Sequence, residues 1–126
     1  MDLKEFIEKY QEEINNREFE KVYSLVKKEL PIAYVGKLTE LFYKCGVDPL
    51  KYMTEVPADY ASNSNISKVD IPDNIMSIGR SAFSGCSSLT SVTIGSGVKS
   101  ISWSAFEYCS KLMSVTIGNG VKSIYI

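Results

Sequence analysis

The residues of this sequence that could do chemistry are its carboxylates, its three cysteines and one glycine-rich run. The 126-residue chain contains no histidine, so it lacks the commonest general base and the commonest neutral metal ligand of proteins. A serine or cysteine nucleophile would have no imidazole partner, and no G-x-S-x-G segment is present. Carboxylates alone could run acid and base chemistry, but here they follow the predicted solvent faces of helices. We therefore predict a protein that is not an enzyme and holds no cofactor.

The three cysteines are an odd number and show no C-x-x-C spacing, which argues against a disulfide framework and against a zinc site. Cys86 and Cys109 are 23 residues apart, and this distance leaves open either a disulfide or a ladder of buried thiols. Cys45 is predicted to belong to the core, because it lies on an apolar stripe at helical spacing that consists of Ile32, Val35, Leu38, Leu41, Phe42 and Cys45. No metal site is predicted.

The glycine-rich run, Gly95 to Ser100, reads GSGVKS and has the composition of a phosphate-binding loop. Val98 separates the last glycine from Lys99, whereas a phosphate loop places glycine and lysine side by side. The pattern returns at Gly118 to Ser123. A feature that returns with a structural period is explained by that period, so we favour a structural role.

Charge and termini restrict the partners. The 14 basic and 15 acidic residues give a net charge of −1, so no overall field attracts the chain to nucleic acid or to an anionic membrane. No apolar stretch approaches the roughly 20 residues that span a bilayer. The charged first residues, MDLKE, do not resemble a secretory signal. We therefore expect a cytoplasmic protein that contacts neither membrane nor nucleic acid.

Two segments with different periods must position these residues. In the first, apolar residues at helical spacing predict three helices over residues 3–14, 19–30 and 32–45. Asp2 is the expected N-cap of the first helix, and Pro31 ends the second because a residue before proline disfavours helix. Gly46 suits the left-handed position that ends the third. Asp48-Pro49 predicts one further short turn.

The second segment repeats every 23 residues. Its apolar positions recur at this spacing as the sets Ile66, Val69, Ile71, Ile75 and Ile78, then Leu89, Val92, Ile94, Val98 and Ile101, then Leu112, Val115, Ile117, Val121 and Ile124.

The two complete motif copies, IGRSAFSGCSSLTSVTIGSGVKSI and ISWSAFEYCSKLMSVTIGNGVKSI, resemble the BspA-type, or Treponema pallidum type, leucine-rich repeat family. The resemblance covers residues 66–126. It implies a right-handed coil in which each turn adds one strand to a parallel sheet. A loop that contains Ala105, Phe106 and Cys109 would point inward in each turn.

The predicted fold class is therefore α+β, with an N-terminal helical cap of three to four helices followed by a short leucine-rich-repeat solenoid. We predict a cap domain over residues 1–60 and repeats over residues 61–126. From Ile66 the repeats amount to about 2.65 turns, fewer than the roughly three that usually fold alone. The cap is therefore expected to close one end of the coil, with the third helix as its packing face.

Departures between copies suggest where a partner binds. Trp103 replaces Arg80, and Glu107-Tyr108 replace Ser84-Gly85, so large side chains stand where the first copy has small ones. Trp and Tyr are enriched at binding hot spots, although both could pack against a following turn. The remaining expected site residues are the outward strand positions Ser91, Thr93, Ser114 and Thr116, with self-association expected at Ile124, Tyr125 and Ile126.

We accordingly predict a non-enzymatic protein-interaction module. By resemblance to small phage and gut-bacterial repeat proteins, a sharper hypothesis is an intracellular inhibitor of a bacterial defence enzyme, such as an anti-CRISPR protein. One alternative is an adhesin-like or surface-binding repeat fragment. Another is a self-assembling structural protein that forms a homo-oligomer through its last turn.

Overall fold

The computed structural model describes residues 1–124. Within them lie the helices α1 (Leu3–Lys9), α2 (Gln11–Asn15), α3 (Phe19–Glu29) and α4 (Ala33–Lys44) and a 3-10 helix (Pro49–Tyr52). Seven short strands follow: β1 (Glu55–Val56), β2 (Lys68–Ile71), β3 (Ser77–Ile78), β4 (Ser91–Ile94), β5 (Ser100–Ile101), β6 (Ser114–Ile117) and β7 (Ser123–Ile124). None of the described helices is both long and apolar enough to cross a bilayer. The α+β class with parallel strands is confirmed.

The predicted first helix is two helices, because the chain breaks at Tyr10. Asp2 caps α1 as expected, and its side chain accepts a hydrogen bond from the Glu5 N–H at 2.9 Å. Phe6 and Ile14 are both buried, yet a straight helix would place residues eight apart about 80° away from each other. The break allows both side chains to reach the core.

Helix α4 buries half of the predicted stripe. Val35, Leu38 and Phe42 are buried as expected, together with Gly36 and Thr39, whereas Ile32 is 64% exposed and Leu41 is 37% exposed. The prediction that Cys45 belongs to the core is wrong, because this residue is exposed just after the helix ends. Gly46 follows with φ +76°, as expected of a helix stop.

The repeats form two parallel sheets rather than one. One sheet has the strand order β2-β4-β6 and the other has the order β1-β3-β5-β7. Val69, Val92 and Val115 stand in register in the first sheet, and Ile78, Ile101 and Ile124 stand in register in the second. In the later turns the second strand ends the Val-x-x-Ile stretch that follows the glycine corner, and β3 ends the equivalent stretch Ile75 to Ile78.

The coil starts earlier than the 23-residue pattern indicates. Strand β1 pairs with β3 through Glu55 opposite Ser77 and Val56 opposite Ile78, a step of 22 residues. The loops show the same step of 22 residues between the equivalent donors Asp59 and Ser81. The Asp59 N–H donates to the Arg80 carbonyl, and the Ser81 N–H donates to the Trp103 carbonyl. One residue fewer in the first turn hides that turn from a search at a constant period.

Glycines stand where successive turns touch. A Cβ on Gly97 would lie 2.0 Å from the Asp73 carbonyl oxygen, and one on Gly120 would lie 2.1 Å from that of Ser96. The first turn carries Asn74 at this position, and its Nδ2 donates to the Leu50 and Met53 carbonyls of the cap, both at 2.8 Å. The glycine-rich run is thus explained by stacking of the turns.

The cap is joined to the first turn through α4. Gly36 lies so close to that turn that a Cβ would be 2.1 Å from the Ser62 carbonyl oxygen. Thr39 Oγ1 donates to the Tyr60 carbonyl and accepts from the Tyr23 hydroxyl, and all three residues are buried. The Tyr60 ring then meets Phe83 edge-on, with centroids 5.9 Å apart. One continuous core therefore links cap and repeats.

Candidate protein-binding surface

The loop of residues 103–108, here the aromatic loop, lies between β5 and β6 and is held by the backbone of the preceding turn. The Ser81 N–H donates to the Trp103 carbonyl at 3.0 Å. The Phe83 and Gly85 N–H groups donate to the Ala105 and Glu107 carbonyls, each at 2.8 Å. The Phe106 ring stacks on Phe83 at 5.3 Å. The aromatic loop therefore presents its side chains from a fixed backbone.

Tyr108 occupies an unfavourable backbone position. Its φ is +62°, and the equivalent residues of the two earlier turns are Gly85 at +73° and Asn63 at +59°. Glycine and asparagine tolerate this left-handed region, whereas a tyrosine there costs on the order of 1 kcal/mol. Tyr108 is also 75% exposed. This strain is therefore not compensated by burial within the described part of the chain.

Trp103 is the second large aromatic side chain of the aromatic loop and is 57% exposed. Glu107 is exposed beside Tyr108. At the position of Trp103 the preceding turn has the exposed Arg80. Two large rings and a carboxylate thus replace a smaller, more polar set at the same place in the coil.

The other predicted binding residues form a separate group on the outer face of the first sheet. Ser91 stands opposite Ser114, and Thr93 stands opposite Thr116. Thr93, Ser114 and Thr116 are exposed and Ser91 is half-buried. The structure therefore places the four hydroxyls in two register pairs on strands β4 and β6, apart in the chain from the aromatic loop.

The residues expected to mediate self-association are only partly described. Tyr125 and Ile126 lie outside the described residues, and Ile124 is described as part of β7. Sequence reasoning did not select Met113, Val115 and Ile117, which are 86%, 44% and 45% exposed. A signal for Met113 was available, since the earlier turn has Thr90 at that position.

The cysteines form a ladder of free thiols in the repeats. Cys86 Sγ donates to the Ala61 carbonyl and Cys109 Sγ to the Phe83 carbonyl, both at 3.1 Å. All three cysteines are free. Burial raises the pKa of the Cys86 thiol and of the Cys109 thiol, so each is a weak nucleophile. Within residues 1–124 no group of three or more Cys, Asp and Glu side chains is placed to hold a metal ion.

Alkylation under native conditions should therefore distinguish the three thiols. We expect iodoacetamide to modify the exposed Cys45 first and the buried Cys86 at least about tenfold more slowly, because access and thiolate fraction are both reduced. Mass spectrometry of digested samples over time measures the order, and denatured protein, in which all three react alike, is the control. Equal native rates at Cys45 and Cys86 would contradict the burial described.

Comparisons with known proteins agree with the two-sheet coil. A family model described as BspA type leucine rich repeat region (6 copies) matches residues 54–126, more than half of the chain. The match begins one residue before β1 and so includes the 22-residue first turn. No curated protein matches the chain, and no solved structure matches it.

Proposed function

Because the chain belongs to the BspA-type leucine-rich repeat family, we propose that it is a protein-interaction module that binds another protein through its aromatic loop. The observation that carries this proposal is Tyr108, a tyrosine that is 75% exposed at a left-handed backbone position. A repeat protein can bind a partner without a catalytic site, since its stacked turns supply an extended surface. Membership of this family supports a role in protein interaction or adhesion.

The composition of the aromatic loop suits a binding hot spot. Trp and Tyr bury large areas at low conformational cost, and each carries a polar atom for a hydrogen bond. The fixed backbone of the loop lowers the entropy that binding must overcome. Ser91, Thr93, Ser114 and Thr116 form a separate polar surface on strands β4 and β6, and their hydroxyls offer further hydrogen bonds to a partner.

The repeat supplies its own test variants. Trp103→Arg and Tyr108→Gly install the residues that the preceding turn carries at the same positions, so both fit the coil. We expect each to weaken binding of the partner by at least about thirtyfold, the effect of losing about 2 kcal/mol at a hot spot. Tyr108→Gly should leave the free energy of unfolding unchanged or raise it by about 1 kcal/mol, because glycine relieves the left-handed strain.

The matched control is Met76→Lys. Met76 is 53% exposed and the next turn has Lys99 at its position, so this change also exchanges one repeat residue for another, outside the aromatic loop. Affinity capture from cell lysate with wild type and each variant, followed by titration of the recovered partner, measures the effect. Recovery of the same partner by wild type and the Trp103→Arg/Tyr108→Gly double variant would refute the proposed site.

The identity of the captured partner also separates the finer hypotheses. A bacterial nuclease or another defence enzyme, inhibited on binding, would support the role of an intracellular inhibitor such as an anti-CRISPR protein. An extracellular-matrix or cell-surface protein would support the adhesin-like alternative. In both cases the aromatic loop is the expected contact.

A further inference from the structure

The two sheets of the coil differ by one strand at the end that faces the cap. Within the described residues one sheet has four strands and begins with β1, whereas the other has three and begins only with β2. The step of 22 residues that relates β1 to β3 also relates Val47-Asp48 to Val69-Asp70 of β2. By sequence, residues 46–48 therefore stand where a first strand of the smaller sheet belongs.

Residues 46–48 do not form that strand. The Asp48 side chain accepts a hydrogen bond from the Leu50 N–H at 3.0 Å and so begins the 3-10 helix Pro49–Tyr52. Pro49 itself has no N–H to donate to a ladder. A cavity of about 240 Å³ lies between residues 46–48 and β2. The place of the first strand is therefore open.

The backbone of β2 offers hydrogen bonds toward this cavity. In a parallel ladder the N–H and C=O of one residue point to the same side, and successive residues alternate between the two sides. The Gly95 N–H donates to the Ile71 carbonyl, so Ile71 faces β4, while Asp70 and, two residues earlier, Lys68 face away from it. Within residues 1–124 no backbone hydrogen bond joins Lys68 or Asp70 to the cap. This edge of β2 is therefore free to pair.

A second cavity continues the first one along β2. It has a volume of about 330 Å³, shares Tyr43 and Lys68 with the first cavity, and extends past Glu40 and Lys44 of α4 to residues 65–67. Clefts that bind ligands in proteins usually measure about 300–1,000 Å³. The two cavities, here together the β2 groove, are therefore large enough for a few residues of an extended peptide.

The two ends of the β2 groove differ in charge. Lys44 and Lys68 line one end together with the single carboxylate of Glu40. Asp48 and Asp70 line the other end, where the Lys68 ammonium lies 3.9 Å from an Asp70 carboxylate oxygen. An acidic side chain would be favoured at the first end and a basic one at the second.

We propose that the β2 groove binds an extended peptide segment of another protein, which adds to the free edge of β2 as its missing neighbour. Strand addition takes its affinity from backbone hydrogen bonds and its selectivity from alternate side chains. All strand pairs of the described coil are parallel, so we expect the segment to run parallel to β2. Its central residue would be apolar, because it would stand in register with Val69 and lie beside Val47. An acidic residue before it would approach Lys68, and a basic residue after it would approach Asp48 and Asp70.

A titration of the ¹⁵N-labelled 126-residue chain with the peptide acetyl-Ser-Glu-Val-Arg-amide tests the proposal by NMR. The amide resonances of Lys68 and Asp70 should shift saturably, because these N–H groups gain an acceptor, with a Kd of about 1 mM or tighter. The amide resonances of Trp103 and Tyr108 should not shift. The absence of saturable shifts up to about 10 mM peptide, or shifts that leave Lys68 and Asp70 unaffected, would overturn the proposal.

Two methylated peptides test the backbone pairing without changing the protein. In the proposed register the peptide's valine N–H donates to the Lys68 carbonyl, whereas its glutamate N–H points away from β2. A methyl group on the valine nitrogen should therefore weaken binding at least about tenfold, the loss of about one hydrogen bond. A methyl group on the glutamate nitrogen should leave binding within about threefold of the parent peptide. Equal affinity of the two methylated peptides would refute strand addition.

Two changes at Asp70 separate the backbone contribution from the charge. Asp70→Pro removes an N–H that the β2–β4 ladder does not use, and an edge strand tolerates proline at such a position, so the variant should fold but no longer bind the peptide. Asp70→Asn keeps the N–H and should weaken binding only about two- to fivefold, the effect of an exposed ion pair. A folded Asp70→Pro variant that binds like wild type would contradict the proposal.

The control variants lie outside the β2 groove. Glu55→Gln neutralises an exposed carboxylate on the edge strand β1 of the other sheet and should bind the peptide like wild type. The Trp103→Arg/Tyr108→Gly double variant should also bind it like wild type, because the β2 groove and the aromatic loop are separate surfaces. Loss of peptide binding in either control would place the contact elsewhere and refute the inference.

Discussion

Replacing Gly36 with alanine is expected to lower the free energy of unfolding by about 3 kcal/mol or more, the upper range for overpacking a closed interface. The added Cβ would lie 2.1 Å from the Ser62 carbonyl oxygen and 3.1–3.2 Å from the carbonyl carbon and nitrogen of the same residue. These neighbours are backbone atoms, which no rotamer change can move. The clash would therefore separate α4 from the first turn of the coil.

Gly46→Ala is the matched control, because Gly46 lies just after the C-terminal end of α4 and away from the interface. No atom outside its own neighbours lies within 4 Å of a Cβ at Gly46, although its φ is +76°. Only the left-handed conformation is penalised, at about 1 kcal/mol. Urea denaturation followed by far-UV circular dichroism measures both changes. If Gly36→Ala cost no more than Gly46→Ala, the close packing of α4 on the coil would be wrong.

Replacing Thr39 with valine should cost about 2–4 kcal/mol although the side chains have nearly the same shape. The Thr39 hydroxyl donates to the Tyr60 carbonyl and accepts from the Tyr23 hydroxyl. Valine would remove the Thr39 hydroxyl as a partner of both buried groups, at about 1–3 kcal/mol for each. Burial holds the pKa of Tyr23 well above its ordinary value, so its hydroxyl keeps the proton and still requires an acceptor.

A double-mutant cycle with Tyr23→Phe separates the two losses. Tyr23→Phe removes the donor, so in the Thr39→Val background it should restore about 1 kcal/mol or more, and the double change should cost less than the sum of the single changes. Chemical denaturation of the four proteins measures the coupling. Strict additivity would mean that Tyr23 and Thr39 do not interact in solution.

The repeat made most of the coil predictable. Residues at identical positions of stacked turns occupy identical surroundings, so a recurring Val-x-Ile at 23 residues reports both the strand and its parallel register. The first turn escaped this reading because its step is 22 residues and because Tyr60-Ala61 replace the Ala-Phe of the later loops. The first turn joins the sheet because the backbone of β1 pairs with β3. The residue types of β1 do not reveal this pairing.

Helix α4 shows why the cap was harder to predict. Periodicity takes account of apolar side chains only. It correctly selected Val35, Leu38 and Phe42, which are buried, but also Ile32, Leu41 and Cys45, which are exposed. The residues that touch the coil most closely are Gly36 and Thr39, one small and one polar. They serve the interface through the absence of a Cβ and through a hydroxyl, neither of which hydropathy records.

The repeat, the α+β class, the helix stop at Gly46 and the differing aromatic loop could all be predicted from the residues, because each follows from local spacing or from comparison of one turn with the next. The three-dimensional arrangement was needed to find that Tyr108 is strained and exposed and that α4 packs against the first turn of the coil through Gly36 and Thr39. Backbone conformation and burial depend on which segments meet in space, and a pattern along one chain does not encode them residue by residue.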